Sequence, residues 1–274
     1  MRSQVLALTL AVTLATASAA SAETVVSFSP RGKSAQFFGL VNHAVKPAGA
    51  VVLLAGGLGR LDITKSGSIT YLKANQVVRT RKRYATHGLT TVVPDIAADF
   101  KVGAADAVAG YRATKEFAQD IGGVIAYLRA LTGKPVLVMG TSRGSLSVSN
   151  AVSKLAGVTR PDGAVMSSAL LSPAIPGLNV RSIVGDDPKL LAIPMLVVIN
   201  IHDTCSVTLP SELKPFAAWY AGNGKKLGTA SLNPNIWVDA DPCEARTPHG
   251  FWGWDPIVSL NLSNWMKAMI AGLP

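Results

Sequence analysis

Ser142 lies at the centre of a G-x-S-x-G pentapeptide, residues 140–144. A serine hydroxyl attacks a carbonyl carbon when a neighbouring base takes its proton. The pentapeptide follows an apolar run, residues 135–139, and precedes a segment that is compatible with a helix, residues 145–155. Glycines beside such a serine let strand and helix backbones approach closely at a sharp turn. The pattern therefore predicts that this turn exposes Ser142 as a nucleophile.

A carboxylate and a histidine that could activate this serine follow it in the chain. Asp203 lies just past a long apolar run, residues 193–200, and His249 follows a short predicted strand, residues 236–238. The histidine would take the serine proton, and the carboxylate would hold the histidine in the required tautomer. Loops that follow parallel strands meet at one edge of a sheet. We therefore predict a catalytic triad of Ser142, Asp203 and His249.

Other histidines and acids fit this arrangement less well. His202 adjoins Asp203, so it is poorly placed to contact that carboxylate and also reach the serine. The two histidines that precede the serine, in the wrong order for this arrangement, are His43 and His87. Three rival acids follow the last predicted strand and lie very near His249, and we rank them below Asp203: Asp239, Asp241 and Glu244.

The negative oxygen that forms when serine attacks a carbonyl needs hydrogen-bond donors. One expected donor is the backbone N–H of Arg143, the residue after the nucleophile. The second is expected from the glycine-containing loop after the predicted strand at residues 50–55, where we predict Gly57 or Leu58. The Arg143 side chain has two interpretations, a structural ion pair, which we favour, or a contact with an acidic group of the substrate.

Two cysteines occur in the chain, Cys205 and Cys243. In an oxidising compartment they predict one disulfide, and the alternative is two unpaired buried thiols. A disulfide would join the loop of Asp203 to the loop of His249, and it could equally be a general staple of an exported protein. Neither cysteine lies in a metal-binding pattern, and no nucleotide-binding glycine motif is complete. We therefore expect no metal and no cofactor.

Strand and helix signals alternate along the chain, which predicts an α/β fold with a mostly parallel sheet and helices on both faces. Strands are predicted at residues 24–28, 36–41, 50–55, 90–93, 135–139, 164–168, 193–200 and 236–238. The first two of these strands could form an antiparallel start. Helices are predicted at residues 74–86, 113–131, 145–155, 211–220 and 256–270.

The N-terminal residues 1–22 have the features of a secretory signal peptide. Arg2 supplies the positive start, residues 5–15 are mostly apolar, and small residues at 20–22 form a cleavage site. This apolar stretch is shorter than the roughly 20 residues that span a bilayer. We therefore expect residues 23–274 to be exported to the periplasm or the medium, without a membrane span. The whole chain has 49% hydrophobic and 15% charged residues, so residues 23–274 should fold as one domain.

The chain is strongly basic, with a formal net charge of +10. Such a charge attracts anionic surfaces and acidic polymers. The densest cluster of positive residues lies on the helix predicted at residues 74–86, and we interpret it as a solvated helix face, with an anion-binding surface as the alternative. The cluster consists of Arg79, Arg81, Lys82 and Arg83. Because aromatic residues are not interleaved with these charges, no nucleic-acid binding is expected.

In these motifs the chain resembles the α/β-hydrolase superfamily, most closely its lidless members similar to dienelactone hydrolases and esterases. The resemblance covers nearly all of residues 23–274 and implies an α/β-hydrolase fold with Ser142, Asp203 and His249 as the triad. The chain differs from lipases because the loop at residues 55–57 reads Ala-Gly-Gly and lacks their His-Gly pair. It differs from dienelactone hydrolases because the nucleophile is serine and not cysteine.

Members of this superfamily often carry a cap domain after the strand that follows the nucleophile helix. Here residues 169–192 are too few for a large helical cap, so we expect an open cleft. The expected function is hydrolysis of a carboxylic ester, either a small soluble ester or an accessible chain end of a polymer. The alternatives are a peptidase or amidase that uses the same triad and a non-catalytic binding protein on the same scaffold.

Overall fold

The computed structural model describes residues 23–101, 110–173, 182–224, 227–236 and 240–273. The predicted signal peptide, residues 1–22, lies outside these ranges, as does Asp239, one of the three rival acids. No helix within these ranges is long and apolar enough to cross a membrane.

Eight strands form one sheet in the order β1-β2-β4-β3-β5-β6-β7-β8. The strands are β1 (Thr24–Phe28), β2 (Phe37–Asn42), β3 (Gly49–Leu54), β4 (Leu89–Pro94), β5 (Val136–Thr141), β6 (Gly163–Ser167), β7 (Met195–Asn200) and β8 (Leu227–Leu232). β2 runs antiparallel to both of its neighbours, and all pairs from β4 to β8 are parallel. The predicted parallel sheet with an antiparallel start is confirmed.

Helices cover both faces of the sheet, as predicted. They are α1 (Gln76–Thr86), α2 (Lys115–Thr132), α3 (Gly144–Lys154), α4 (Leu213–Tyr220) and α5 (Asp255–Ala271). Apolar residues of α2, α3 and α4 pack in one core cluster, and those of α1 and α5 pack in the other. The longest of these helices, α2, begins at Thr114, whose side chain accepts from the N–H of Phe117, and ends at Gly133 with a left-handed φ of 62°.

The central strands are buried on both faces, which explains their continuous apolar sequences. In β3, Ala50, Val52 and Leu54 enter the cluster with α2 and α3, while Val51 and Leu53 enter the cluster with α1 and α5. Full burial of a valine or leucine side chain contributes about 1.5–3 kcal/mol. The hydrophobic effect on two faces therefore places these strands at the centre of the sheet.

The last strand lies at Leu227–Leu232, which the sequence analysis missed. The predicted strand at residues 236–238 is wrong at Ile236, which lies in no strand, and its other two residues lie outside the described ranges. β8 is an edge strand that alternates between half-buried and exposed residues and includes Gly228. It joins the sheet through main-chain pairing with β7, so it needs no apolar run that a sequence pattern could reveal.

The register brings the carboxyl ends of the central strands to one edge of the sheet. Thr141, the last residue of β5, pairs with Ser167, the last residue of β6, and Ser167 pairs with Val198 near the end of β7. Because these strands are parallel, the loops that follow them leave the sheet at the same edge. The loop after β5 contains Ser142 and the loop after β7 contains Asp203.

The connection from β6 to β7 contains no cap domain in the part that the structure describes. Its described residues, 168–173 and 182–194, form only irregular backbone and two short 3₁₀ turns, Ile183–Gly185 and Pro188–Leu191. The expectation of a fold without a large cap is therefore confirmed, and the carboxyl edge of the sheet is left accessible.

The basic cluster on α1 is only partly a solvated face, so our interpretation is wrong for two of its residues. Arg79 pairs with Asp255, and Arg81 pairs with Glu23, at 2.8 and 2.6 Å. Their side chains are 10% and 17% exposed. Both carboxylates are distant in sequence, so the helix pattern could not indicate these pairs. Lys82 is exposed, as predicted for a solvated face.

Candidate active site

Ser142 occupies a strained turn between β5 and α3. Its φ is +53°, a left-handed value that is uncommon for residues other than glycine. Hydrogen bonds hold this conformation on both sides, because the Ser142 N–H donates to the Ser167 carbonyl at 3.0 Å and the Ser142 carbonyl accepts from the Ser145 N–H at 2.9 Å. Strain of this kind persists where the surrounding structure enforces it, and it often marks an active site.

Two glycines make the turn possible. A Cβ added at Gly140 would lie 2.3 Å from the carbonyl oxygen of Gly144, and a Cβ added at Gly144 would lie 2.3 Å from the carbonyl oxygen of Leu54. Both neighbours are backbone atoms of packed elements, so they have little freedom to move. The flanking glycines of the pentapeptide are therefore steric requirements of the crossing between β5, α3 and β3.

Replacing Gly144 with alanine should destabilise the protein by about 1–3 kcal/mol, the usual effect of overpacking. Gly222→Ala is the matched control, since a Cβ at Gly222 meets no atom within 4 Å and its φ is not left-handed. Urea unfolding followed by circular dichroism gives the free energies of unfolding. Equal free energies for the two variants would contradict the close approach of Gly144 to β3.

Asp203 and His249 are buried and in direct contact. His249 Nδ1 lies 3.0 Å from Asp203 Oδ2, and each residue is 4% exposed. The carboxylate also accepts hydrogen bonds from the Cys205 N–H at 2.9 Å and from the Thr208 hydroxyl at 3.0 Å. A carboxylate with these donors is held in one orientation and can align the imidazole.

Thr208 is a residue of this site that the sequence analysis missed. Its Oγ1 contacts Asp203 Oδ2 and lies 3.1 Å from His249 Nδ1, so it touches both partners of the pair. It is 3% exposed. A threonine five residues after an aspartate carries no recognisable sequence signal, so only the folded loop reveals this contact.

The loop of His249 is anchored through its backbone. The Ser168 hydroxyl donates to the His249 carbonyl at 2.6 Å, and the Asn200 side-chain amide donates to the Pro248 carbonyl at 2.7 Å. Beside them, a Cβ at Gly250 would lie only 2.0 Å from the Ala245 carbonyl oxygen. These contacts attach the histidine loop to the ends of β6 and β7.

Arg79 of the basic cluster is also part of this anchor. Its guanidinium donates to the carbonyl oxygens of Gly250 at 2.6 Å and Ala245 at 3.2 Å, and it pairs with Asp255 at the start of α5. It also lies over the Trp252 ring, 5.1 Å from the centroid. Arg79 thus links α1 to both sides of the histidine loop.

The rival residues that the structure describes do not contact the His249–Asp203 pair. His202 is hydrogen-bonded to Asn233, and His43 is hydrogen-bonded to Thr24. Asp241 accepts from the Cys243 N–H, and Glu244 is exposed on the wall of the cleft described below. Among the described acids, Asp203 is the one within hydrogen-bonding distance of His249.

The predicted disulfide between Cys205 and Cys243 is present, with a sequence separation of 38 residues. It joins the loop of Asp203 to the segment that leads to His249. The Cys205 sulfur lies near the carboxylate and the imidazole, and one ligand atom from each of these three residues falls within 4.8 Å of the others. Because the disulfide occupies that sulfur and Asp203 and His249 bond to each other, this group is a poor metal site.

Removing the disulfide by a Cys205→Ser, Cys243→Ser double substitution should reduce stability. The chain-entropy model gives about 4 kcal/mol for a loop of this length. Unfolding by guanidinium chloride of the oxidised wild type, the reduced wild type and the double variant measures the loss. A reductant should lower the unfolding midpoint of the wild type and leave that of the variant unchanged. A reductant effect on the variant would show that another process is responsible.

Gly57, Leu58 and Arg143 are the three predicted oxyanion donors. Within the described residues, the amide groups of Gly57, Leu58 and Arg143 have no hydrogen-bond partner. Gly57 has a left-handed φ of +53° and lines the cleft described below, while the Leu58 side chain packs against the core. The loop lies against the nucleophile turn, since a Cβ at Gly56 would be 3.1 Å from Ser142 Cβ.

The expected ion pair of the Arg143 side chain is not found. Within the described residues, no carboxylate lies within 4.0 Å of it, although the side chain is half-buried. A nearby charge is the guanidinium of Arg112, which has the same sign and is lowered in pKa mainly by burial and then by Arg143. Among the described residues, the Arg143 side chain therefore lacks the acidic partner that the favoured interpretation requires.

A cleft of about 610 Å³ has both Ser142 and His249 in its wall. Among the described residues, no hydrogen bond joins the serine hydroxyl to the imidazole. This contact is often open in free enzymes and tightens when substrate binds. Residues 72–76 and 243–246 also line the cleft, and they include Lys73 and Arg246.

Asn75 and Gln76 in this wall were not identified from the sequence. Asn75 is the N-cap residue of α1, yet its side chain makes no capping hydrogen bond. Its Oδ1 and the Gln76 Nε2 are buried without a hydrogen-bond partner among the residues that the structure describes. Asn75 Nδ2 and Ser142 Cβ each lie 3.1 Å from the position of a Cβ on Gly56. The Asn75 side chain is therefore turned from the helix end toward the nucleophile.

Comparison by sequence finds no matching family model and no matching curated protein. Comparison by structure finds similar folds. The acylaminoacyl peptidase of Pyrococcus horikoshii has a TM-score of 0.59 at 12% identity, with 92% of this chain and 42% of that chain covered. An esterase of Pyrococcus furiosus has a TM-score of 0.59 at 13% identity, with 89% of this chain and 91% of that chain covered.

A putative α/β-hydrolase of Agrobacterium tumefaciens, titled as a protein of unknown function, has a TM-score of 0.55 at 13% identity, with 91% of this chain and 99% of that chain covered. This chain spans about two fifths of the length of the acylaminoacyl peptidases that it matches. At these identities the likeness shows the fold. The chain has the α/β-hydrolase fold, and its structural neighbours include esterases and peptidases.

Proposed function

We propose that this protein is a serine hydrolase of carboxylic esters, with Ser142 as nucleophile, His249 as general base and Asp203 as the acid that orients the histidine. The observation that carries the proposal is the buried contact between His249 Nδ1 and Asp203 Oδ2, at 3.0 Å, beside a serine on a strained turn in the same cleft. Three groups of this kind activate serine in acyl transfer.

The reaction proceeds in two halves. His249 Nε2 takes the Ser142 proton while Oγ bonds to the ester carbonyl carbon, and the carbonyl oxygen becomes negative. Backbone N–H groups of Arg143 and of Gly57 or Leu58 stabilise that oxygen. When the C–O bond to the alcohol breaks, the alcohol leaves with the proton from His249. Water then attacks the acyl-enzyme, with His249 again as base, and releases the acid.

The cleft supports a small or chain-end ester as substrate. Its volume of about 610 Å³ is within the usual range for small-molecule pockets, roughly 300–1,000 Å³. The Asn75 Oδ1 and the Gln76 Nε2 have no hydrogen-bond partner among the described residues, and we propose that they bond polar groups of the substrate. We also propose that the protein is exported and cleaved before Glu23. Mass spectrometry of the secreted protein tests this proposal by identifying its N-terminal residue.

Labelling with a fluorophosphonate probe tests the mechanism. The purified folded protein should become covalently labelled, and peptide mapping should place the label on Ser142. Hydrolysis of p-nitrophenyl acetate and butyrate should be lost in proportion to labelling. A folded protein that neither reacts with the probe nor hydrolyses any ester of a panel, yet binds one of them, would support a binding protein instead.

A peptidase or amidase is the second candidate, because the chain shares its fold with acylaminoacyl peptidases. The same triad can cleave amides, so the geometry alone does not choose between them. Rates on matched p-nitrophenyl esters and p-nitroanilides with the same acyl group distinguish an esterase from an amidase. A ratio of kcat/KM values in favour of the anilide would replace our proposal with this one.

Replacing Asn75 with alanine should lower kcat/KM for a p-nitrophenyl ester about tenfold, as expected for one lost hydrogen bond of roughly 1–1.5 kcal/mol. Stability should change little, because the side chain makes no capping bond. Asn261→Ala, at an exposed position of α5, is the control. A loss of stability of about 1 kcal/mol, typical of a removed cap, with unchanged activity would contradict a role in the cleft.

A further inference from the structure

Arg112 is a buried cation without a carboxylate partner among the described residues. Arg112 is only 4% exposed to solvent. Four other arginines that are at least partly buried each pair with an acid, namely Arg31 with Asp99 and Asp120, Arg79 with Asp255, Arg81 with Glu23, and Arg129 with Asp162. Burial of an unpaired charge is strongly unfavourable. The groups that Arg112 does bind should therefore explain its position.

Three consecutive backbone carbonyls of the glycine loop after β3 bind this guanidinium. Arg112 Nη2 donates to the carbonyl oxygens of Ala55, Gly56 and Gly57, each at 2.9 Å. Arg112 Nη1 donates to the hydroxyl of Ser147 on α3 at 2.6 Å. One side chain thus connects the glycine loop to the helix that follows the nucleophile.

The loop is built to admit this guanidinium. Gly59 has a left-handed φ of +79°, and a Cβ there would lie 2.6 Å from Arg112 Nη2. On another side, a Cβ at Gly56 would lie 3.1 Å from Ser142 Cβ and 2.9 Å from the Thr141 carbonyl oxygen. The loop therefore lies in close contact with both Arg112 and the nucleophile turn.

Peptide geometry links the carbonyls to the oxyanion donors. In a trans peptide the N–H points opposite to the C=O, and no described peptide bond is cis. With the carbonyls of residues 55–57 directed at Arg112, the N–H groups of residues 56–58 point away from the guanidinium. The N–H groups of Gly56, Gly57 and Leu58 have no hydrogen-bond partner among the described residues, and those of Gly57 and Leu58 are the predicted oxyanion donors.

We infer that Arg112 is a positioning residue of the oxyanion site: it holds the 55–57 carbonyls so that the following N–H groups face the reacting carbonyl, and it places beneath them a positive charge that has no counter-ion among the described residues. The inference rests on the proposed function. A negative oxygen formed at Ser142 would supply an opposite charge that no described carboxylate supplies. Donors fixed in advance stabilise a transition state without reorganising during the reaction.

Arg112→Met and Arg112→Lys test this role, with Arg129→Met as the matched control. Arg129 also binds two backbone carbonyls, those of Val158 and Arg160, but it lies on α2, pairs with Asp162 and does not line the cleft. Each variant is titrated with the fluorophosphonate to count competent sites. kcat and KM for p-nitrophenyl butyrate and the inhibition constant of a trifluoromethyl ketone are then measured.

The methionine variant should lose about 100- to 1,000-fold in kcat per titrated site, the scale of a lost oxyanion donor, with KM within about threefold of the wild type. The ketone, which forms a negative tetrahedral adduct, should weaken in parallel with kcat/KM. The lysine variant keeps the charge but not the planar guanidinium, so its kcat should lie between those of the wild type and the methionine variant. Arg129→Met should leave all three constants unchanged.

Two outcomes overturn the inference, and they are distinguishable from failure of the proposed function. A kcat per site within threefold of the wild type in the Arg112 variants would show that the loop holds its geometry alone. If Arg112→Met does not fold, Arg112→Lys with a native circular-dichroism spectrum and unchanged kcat overturns the inference in the same way. A wild type that neither labels nor hydrolyses any ester or anilide removes the proposed function, and this inference with it.

Discussion

Replacing Ser142 with alanine is expected to lower kcat for p-nitrophenyl esters by about 10⁶-fold, the scale of losing a serine nucleophile from such a triad. Without Oγ no acyl-enzyme can form, and only binding and the oxyanion donors can assist attack by water. Alanine meets the same strain as serine at a φ of +53°, so the free energy of unfolding should change little. Steady-state rates and urea unfolding measure the two quantities.

Ser153→Ala is the matched control, because its hydroxyl only donates to the Asn150 carbonyl within α3. Its activity and probe labelling should equal those of the wild type. Ser142→Ala should take up no fluorophosphonate. If the purified Ser142→Ala protein retains more than a small fraction of wild-type turnover, another group carries the reaction and the assignment of the nucleophile is wrong.

Replacing Asp203 with asparagine should lower kcat by about 10⁴-fold. An asparagine amide would offer an N–H to His249 Nδ1 in place of a negative oxygen. That favours the tautomer with hydrogen on Nε2, which cannot take the serine proton. Asparagine has nearly the same size as aspartate but only one side-chain oxygen. It can therefore accept only part of the hydrogen bonds that Asp203 accepts from the Cys205 N–H and the Thr208 hydroxyl.

Glu244→Gln provides the comparison for this prediction, since Glu244 lines the same cleft and was a rival acid in the sequence. We expect its kcat to stay within about threefold of the wild type, because no contact joins it to His249 among the described residues. Rates of both variants on one ester decide the matter. A larger loss in Glu244→Gln than in Asp203→Asn would move the role of the acid to residue 244.

Buried central strands could be predicted to within one or two residues, whereas the edge strand β8 could not. β3 and β5 lie between two helical layers, so every position is apolar or small and the run itself is visible. β8 depends on hydrogen bonds to β7, which any sequence with free backbone groups can make. Main-chain pairing has no composition signal, and this is why the strand at Leu227–Leu232 was missed.

The parts of the candidate site also differ in whether the sequence could predict them. The serine turn could be predicted because its glycines are required by contacts within a few residues and with one neighbouring strand. The roles of Arg79 and Arg112 could not, because their partners are carbonyls and acids far along the chain. A positive residue on a predicted helix has the same pattern whether it faces water or holds a loop.

The sequence by itself determined the class of fold, the serine turn, the cysteine pair and the order of candidate acid and base, because these depend on side-chain type and short spacing. Only the tertiary structure decided that Asp203 contacts His249, that Thr208 touches both, and that Arg112 lies against the glycine loop. Hydrogen bonds act over about 3 Å, so contacts between residues distant in the chain exist only after the sheet has brought its loops to one edge.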